Sequence, residues 1–176
     1  MTILEKIDKL NLPFCGQIGT GLLRRFRFFL WYFGHFNVPL IGHLKPSLTT
    51  LTDETIVIKI KLTRRSKNHL QSMYFGALAV GADLAGGLHG FYHAKQAKVG
   101  VSLAFKSFQA QFLKRPESDV YFVCTMGDVV KHMVSESNVT GQRINKPLII
   151  KAYTNYLQQP DEVANFILEL SLKVVR

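Results

Sequence analysis

Asp83 is the residue that most needs explaining. From Thr55 to Pro116 it is the only acidic side chain, set among Ala, Gly, Leu and Val in a stretch, Asn68 to His93, that reads as one long helix rich in small residues. An ionised carboxylate in such company is costly unless a partner neutralises it or a reaction uses it. As a reacting group it has two roles open to it, nucleophile or general base for water; as a structural group it would accept a bond from a sheet N–H or a histidine. The start of the same helix supplies a second chemical element, because its leading N–H groups have no internal partner and face outward with the positive end of the dipole. Gly76 would let a reacting group approach that backbone closely. Asp83 lies seven residues further on, two turns along the same face and about 10 Å along the axis. That is too far for one chain to apply both to a single atom.

Other polar residues nearby carry two readings each. Asn68 suits a turn or helix cap, or a group that orients water or substrate. Tyr74 is either a core tyrosine or a hydroxyl donor. Ser72 reads as a cap, since no base stands at a spacing that would make it a nucleophile. His89 and His93 share a helix face, but the run HGFYH lacks a zincin glutamate and a third ligand, so no metal is expected; helix-dipole interaction or solvent exposure is. Arg64, Arg65 and Lys67, then Lys95 and Lys98, flank the helix, either as solvated charges or as a funnel for phosphates.

The elements that must position these residues are legible in part. Residues 2 to 10 place Ile3, Leu4, Ile7 and Leu10 at helical spacing before Asn11 and Pro13 interrupt. Gln17 to Phe36 packs aromatics around Arg24, Arg25 and Arg27 and predicts an amphipathic helix. It would serve as a lid docked on the domain, as one wall of an apolar ligand tunnel, or, over residues 22–36, as a peripheral membrane contact. NVPLIGHLKPS is a connection punctuated by Pro and Gly. Ile56, Ile58, Ile60 and Leu62 alternate as in a half-buried strand. From Lys98 to Phe112 period two returns, with a change of phase near Lys106 and Ser107 that predicts a bulge. Strands are expected over 119–125, 147–156 and 162–175, with a short helix at 128–137 and a loop at 138–145.

Global properties narrow the setting. The chain has 176 residues, 47% hydrophobic and 11% aromatic, with a formal charge of +10. That length suits one domain and that composition argues against disorder. The charge favours an anionic partner: nucleic acid, lipid surface or phosphorylated small molecule. Nucleic acid is not expected, because no recognition motif appears and the aromatics sit in apolar contexts. Cys15 and Cys124 are far apart and read as reduced thiols of a cytoplasmic protein; the start of the chain shows no signal peptide. Leu70 to Phe91 is long enough to span a bilayer, but Asp83, His89 and the glycines oppose that.

One strand, one long helix and then four strands joined by short turns favour an antiparallel sheet. The expected fold class is α+β, a hotdog fold: a curved antiparallel sheet wrapped around one long central helix, with an N-terminal helical extension. Residues 1–176 form a single domain on this reading, 1–46 as the extension and 47–176 as the core. Such a sheet leaves edges exposed, which an obligate dimer with joined sheets would cover.

The helix entrance resembles that of small hotdog thioesterases of the phenylacetyl-CoA type. Their pattern is Asn, two residues, Gly, two residues, then His-Gly-Gly, with an acidic residue seven positions after the last glycine. Asn68, Gly76 and Asp83 match it, while Gln71 replaces the first Gly, Tyr74 the His and Phe75 the next Gly. The resemblance implies an acyl-CoA thioesterase in which the helix start of one subunit supplies oxyanion donors and Asp83 of the other acts on the thioester. It implies a homodimer or a dimer of dimers, with coenzyme A as part of the substrate and no further cofactor. Asp83, Asn68, Gly76 and Tyr74 are then the catalytic candidates, and Arg64, Arg65, Lys67, Ser72 and Phe75 the substrate-binding ones. A non-catalytic module that binds acyl-CoA or lipid is the alternative, because the His-Gly pair is lost at Tyr74 and Phe75. A hydratase ranks behind both, since His69 lies outside the matching pattern.

Overall fold

The computed structural model describes residues 20–175; the helix expected over residues 2 to 10 and the thiol of Cys15 lie outside them. Helices α1 (Thr20–Phe36) and α2 (Pro39–Leu44) precede strands β1 (Ser47–Leu51) and β2 (Ile56–Ile60). The central helix α3 (Phe75–Gln96) follows, then β3 (Gly100–Phe112), β4 (Val120–Cys124), α4 (Gly127–Thr140), β5 (Ile144–Thr154) and β6 (Asp161–Val175). The strands form one sheet in the order β1-β2-β4-β5-β6-β3, antiparallel at every pairing.

Period-two patterning decides which side chains face α3. Ile56, Ile58 and Ile60 of β2, Leu148 and Ile150 of β5, and Phe166, Leu168 and Leu170 of β6 are all fully buried. Their neighbours Ile149, Lys151 and Ile167 point outward and are exposed. The expected bulge is present as a register shift between Phe105 and Phe108. It bends β3 where its apolar phase changes.

Helix α3 is small and apolar on most of its circumference, as a helix surrounded by sheet must be. Gly81 shows why. A Cβ there would lie 2.3 Å from the ring of Phe122, which is itself fully buried, so the ring rests directly on the helix backbone. At Gly87 the nearest atoms to a Cβ are 3.8 Å away, an ordinary contact. Gly81→Ala is therefore expected to lower stability by about 1–2 kcal/mol, overpacking outweighing the gain in helix propensity. Gly87→Ala is expected to raise it by about 0.5–1 kcal/mol. Urea midpoints of the two variants moving in the same direction would refute this account.

Four expectations need correcting. The helix does not reach back to Asn68: residues 68–74 form a loop, because a bridge between Lys67 and Met73 and the Asn68 side chain compete for the backbone groups that a helix would use. The connection before β1 is partly ordered, with Pro39 opening α2, and Ser47–Leu51 forms a strand of its own on β2. The helix expected at 128–137 runs from Gly127 to Thr140 and consumes the start of the expected loop. Val130, Met133, Val134 and Ser137 are buried along it at helical spacing, so packing overrides the weak propensity of its valines. Gly141 then ends it at φ 69°.

Helix α1 docks on the C-terminal half of α3. Phe26, Phe29 and Leu30 are buried, Phe29 packs on Phe91 with centroids 5.3 Å apart, and the Arg27 Nε donates to the Leu48 carbonyl at 2.8 Å. Gly34 and Gly42 allow α1 and α2 to touch backbone to backbone: a Cβ on Gly42 would sit 2.5 Å from the Gly34 carbonyl oxygen. Among the described residues no helix is long and apolar enough to cross a membrane.

Candidate functional site at the two ends of a helix face

The entrance to α3 is built by its loop. The Asn68 Oδ1 accepts from the Leu70 N–H at 2.9 Å, the Ser72 N–H at 3.2 Å and the Ser72 hydroxyl at 3.2 Å. That commits its oxygen to shaping the turn, and it accounts for the burial of Ser72. Gln71 sits at φ 62°, a left-handed backbone that favours glycine. It is the position at which the resembled pattern has Gly. The Met73 N–H donates to the Pro116 carbonyl and the Tyr74 N–H to that of Ser66, so the loop is held from both sides.

Tyr74 caps the helix with extended backbone and no side-chain cap. The first helical bonds run from Ala77 and Leu78 to its carbonyl, which leaves the leading N–H groups of Phe75 and Gly76 as donors at a helix start without acidic residues. The Tyr74 ring folds over this point: a Cβ on Gly76 would lie 2.6 Å from it. A groove of about 550 Å³ runs alongside, lined by Asn68, Ser72, Tyr74, Phe75 and Leu78 and by residues 112–116. Arg64, Arg65 and Lys67 stand exposed in the turn leading to it.

Asp83 occupies a separate cavity of about 240 Å³, lined by Phe29 and Phe33 of α1, Leu84, Leu88 and Phe91 of α3, and Phe105 of β3, among others. Among the residues described it is the one ionisable group in that lining, and it makes no hydrogen bond or ion pair with any of them. Burial alone pushes its carboxyl above the usual range. The structural role, a carboxylate bonded to a sheet N–H or a histidine, is not what is observed. Helix α1 is at once lid and cavity wall.

No family model matches the sequence, and no curated protein does. Solved structures do. A thioesterase candidate from Shewanella oneidensis superposes with a TM-score of 0.72 at 14% identity, covering 86% of this chain and 97% of the other. A Chlorobaculum tepidum protein of unknown function gives 0.74 at 10% identity over 86% and 96%. A thioesterase from Haemophilus influenzae gives 0.60 at 14% identity over 86% and 90%. The chain has the hotdog fold. The sheet order, the long central helix and these superpositions agree on it.

In this hotdog the two candidate elements sit apart along one α3, as their spacing requires. The histidines of its far end are a correction. His89 and His93 are buried at 0% and 4% exposure, because α1, α4 and the β1–β2 turn close over the end expected to meet solvent. His93 bonds the Asp53 carbonyl through Nε2 at 3.1 Å, and the Tyr92 hydroxyl donates to the Asp53 carboxylate. Among the described residues, neither ring nitrogen of His89 has a hydrogen-bond partner within normal distance. Burial and the neighbouring His93 lower its pKa to about 4, against small opposing effects of the Thr52 backbone, Asp53 and Asp128. The i, i+4 spacing could have flagged this pair; nothing in the sequence pointed to Asp53. No group of three or more His, Cys, Asp or Glu among the described residues could hold a metal ion.

Proposed function

We propose that this hotdog chain hydrolyses acyl-CoA thioesters to free acid and coenzyme A. The observation that carries the reading is Asp83, a carboxylate without a partner among the described residues, set in an apolar cavity, the setting in which a reacting carboxylate is tuned. As nucleophile, a carboxylate oxygen attacks the thioester carbonyl, the C–S bond breaks with release of the CoA thiolate, and water then hydrolyses the mixed anhydride. As general base, Asp83 instead takes the proton of the attacking water. In both cases the oxyanion is held by N–H groups at a helix start.

Because Gly76 and Asp83 are two turns apart, the donors come from a second copy in this proposal. Among the described residues strand β3 ends the sheet and pairs only with β6, and in this proposal its other edge joins two sheets in a homodimer, alone or as a dimer of dimers. The aromatic lining beside Asp83 favours apolar acyl groups, and Arg64, Arg65 and Lys67 would meet the phosphates of coenzyme A. Asn68 keeps its amide NH2 for a water or the substrate, and the Tyr74 hydroxyl stands in for the missing His as a donor.

One observation favours a non-catalytic acyl-CoA or lipid-binding module: the Tyr74 ring lies against Gly76, where the carbonyl would have to approach. Thiol release from short, medium, long and aromatic acyl-CoAs, with the oligomeric state measured alongside, separates the two. Saturable turnover by a dimer is expected. Tight binding of acyl-CoA with no thiol released from any of them would overturn hydrolysis and leave the binding module.

A further inference from the structure

The outer face of α1 and α2 does not look like the solvent face of an ordinary surface helix, which is polar. Arg24, Arg27, Trp31 and His35 follow one another along the exposed side of α1. Trp31 is 51% exposed, Phe36 67% and, across the turn on α2, Leu40 58%. Trp31 is backed by Phe28 at 5.6 Å and by His35 at 4.7 Å between centroids, so its ring is held outward rather than left to fold back. The inner face of the same helix is already spent on the core through Phe26, Phe29 and Leu30. The Gly34–Gly42 contact fixes α2 beside it.

Charge selects the partner. No acidic residue occurs between Asp8 and Asp53, whereas Arg24, Arg25, Arg27 and Lys45 do, in a chain of formal charge +10. A second copy docking through this face would bring like charges together. Nucleic acid would accept the arginines but has no apolar home for Leu40. An anionic bilayer offers both, since Trp and Phe settle at the headgroup boundary and each Lys or Arg near an anionic surface strengthens binding. We propose that the outer face of the α1–α2 pair is a docking surface for an anionic lipid bilayer, on which the protein lies without crossing it. Phe29 and Phe33 on the reverse of α1 line the Asp83 cavity, so docking would set that cavity directly behind the lipid-facing helix. The proposal does not depend on hydrolysis.

Trp31 is the single tryptophan of the chain and therefore its own probe. The full-length protein is mixed with vesicles of phosphatidylcholine containing a quarter phosphatidylserine, and with vesicles of phosphatidylcholine alone. The expected result is co-sedimentation with the anionic vesicles, a blue shift of Trp31 emission, and quenching by brominated acyl chains, all weakened by salt. Arg24→Glu and Leu40→Ser, both at exposed positions, are each expected to lower partitioning about tenfold, with thermal unfolding unchanged. Protein that stays in the supernatant with Trp31 emission unshifted overturns the proposal. So does a Trp31 shift that depends only on protein concentration, which would mark a second copy, or one produced by single-stranded RNA and not by vesicles.

Discussion

Asp83→Asn is expected to lower the rate of thiol release from the best acyl-CoA at least a hundredfold, with the fold and the oligomeric state unchanged. The magnitude follows from removing a general base, worth about 10²–10⁴; loss of a nucleophile costs no less. A second readout distinguishes a reacting carboxylate from a structural one. Burial raises the Asp83 pKa in the folded protein, so the unfolded chain holds the charge more readily. The contribution of this group to stability is fully present below the ordinary carboxylate value of 3.8 and is lost as pH rises through the raised folded value. At neutral pH the native carboxylate is thus a liability, and Asp83→Asn should melt higher than the native protein, the difference vanishing in acid. A variant that is inactive and more stable is the signature of a site that trades stability for function. A variant that is inactive and less stable would mean that Asp83 holds structure, and the catalytic assignment would fall. The acid limb of the rate profile, displaced above the ordinary carboxylate range, reports the same group.

The second large effect concerns His89. Its pKa of about 4 in the folded chain lies below the ordinary histidine value of 6.5, so on acidification the unfolded chain takes up the proton first. Stability is full above pH 6.5 and falls as pH drops toward 4, by about 3 kcal/mol for this one ring. His93, which packs on it with centroids 5.6 Å apart, is also held below its usual value by burial and adds in the same direction. Asp53, kept below its usual value by the Tyr92 hydroxyl, steepens the loss only at still lower pH. His89→Leu, apolar and of similar size, removes the main cause. Urea midpoints from pH 7 to pH 4 should fall steeply for the native protein and much less for the variant, which should be the more stable of the two at pH 5. Parallel profiles would show that the imidazole is not the group that titrates.

Much of this architecture is written in local sequence pattern. Alternation in β5 and β6 is a short-range property, since a strand with one buried face must repeat every two residues, and the bulge of β3 announced itself as a break in that repeat. The small-residue helix was legible for a similar reason: where the sheet closes directly on a helix the facing positions must be small, and Gly81 under Phe122 is the extreme case. Its start was not, because Asn68 and Ser72 bond each other's neighbourhood and delay the helix by seven residues, from Asn68 to Phe75. Strand β1 gave no signal, having five residues and pairing through its backbone with β2. Helix α4 gave little, because valine-rich turns form only where a core receives them.

By itself, then, the sequence determined that a lone carboxylate would stand on an apolar helix, seven residues after a glycine at its start, inside an antiparallel sheet. Composition and periodicity suffice for that. Only the tertiary structure decided that Asp83 has no partner among the described residues and faces Phe29 and Phe33 of a helix some fifty residues upstream, that the Tyr74 ring covers Gly76, and that His89 is sealed from water. Each of these depends on which distant elements come to rest on α3, and a contact between segments far apart in the chain leaves no mark on the local spacing of either one.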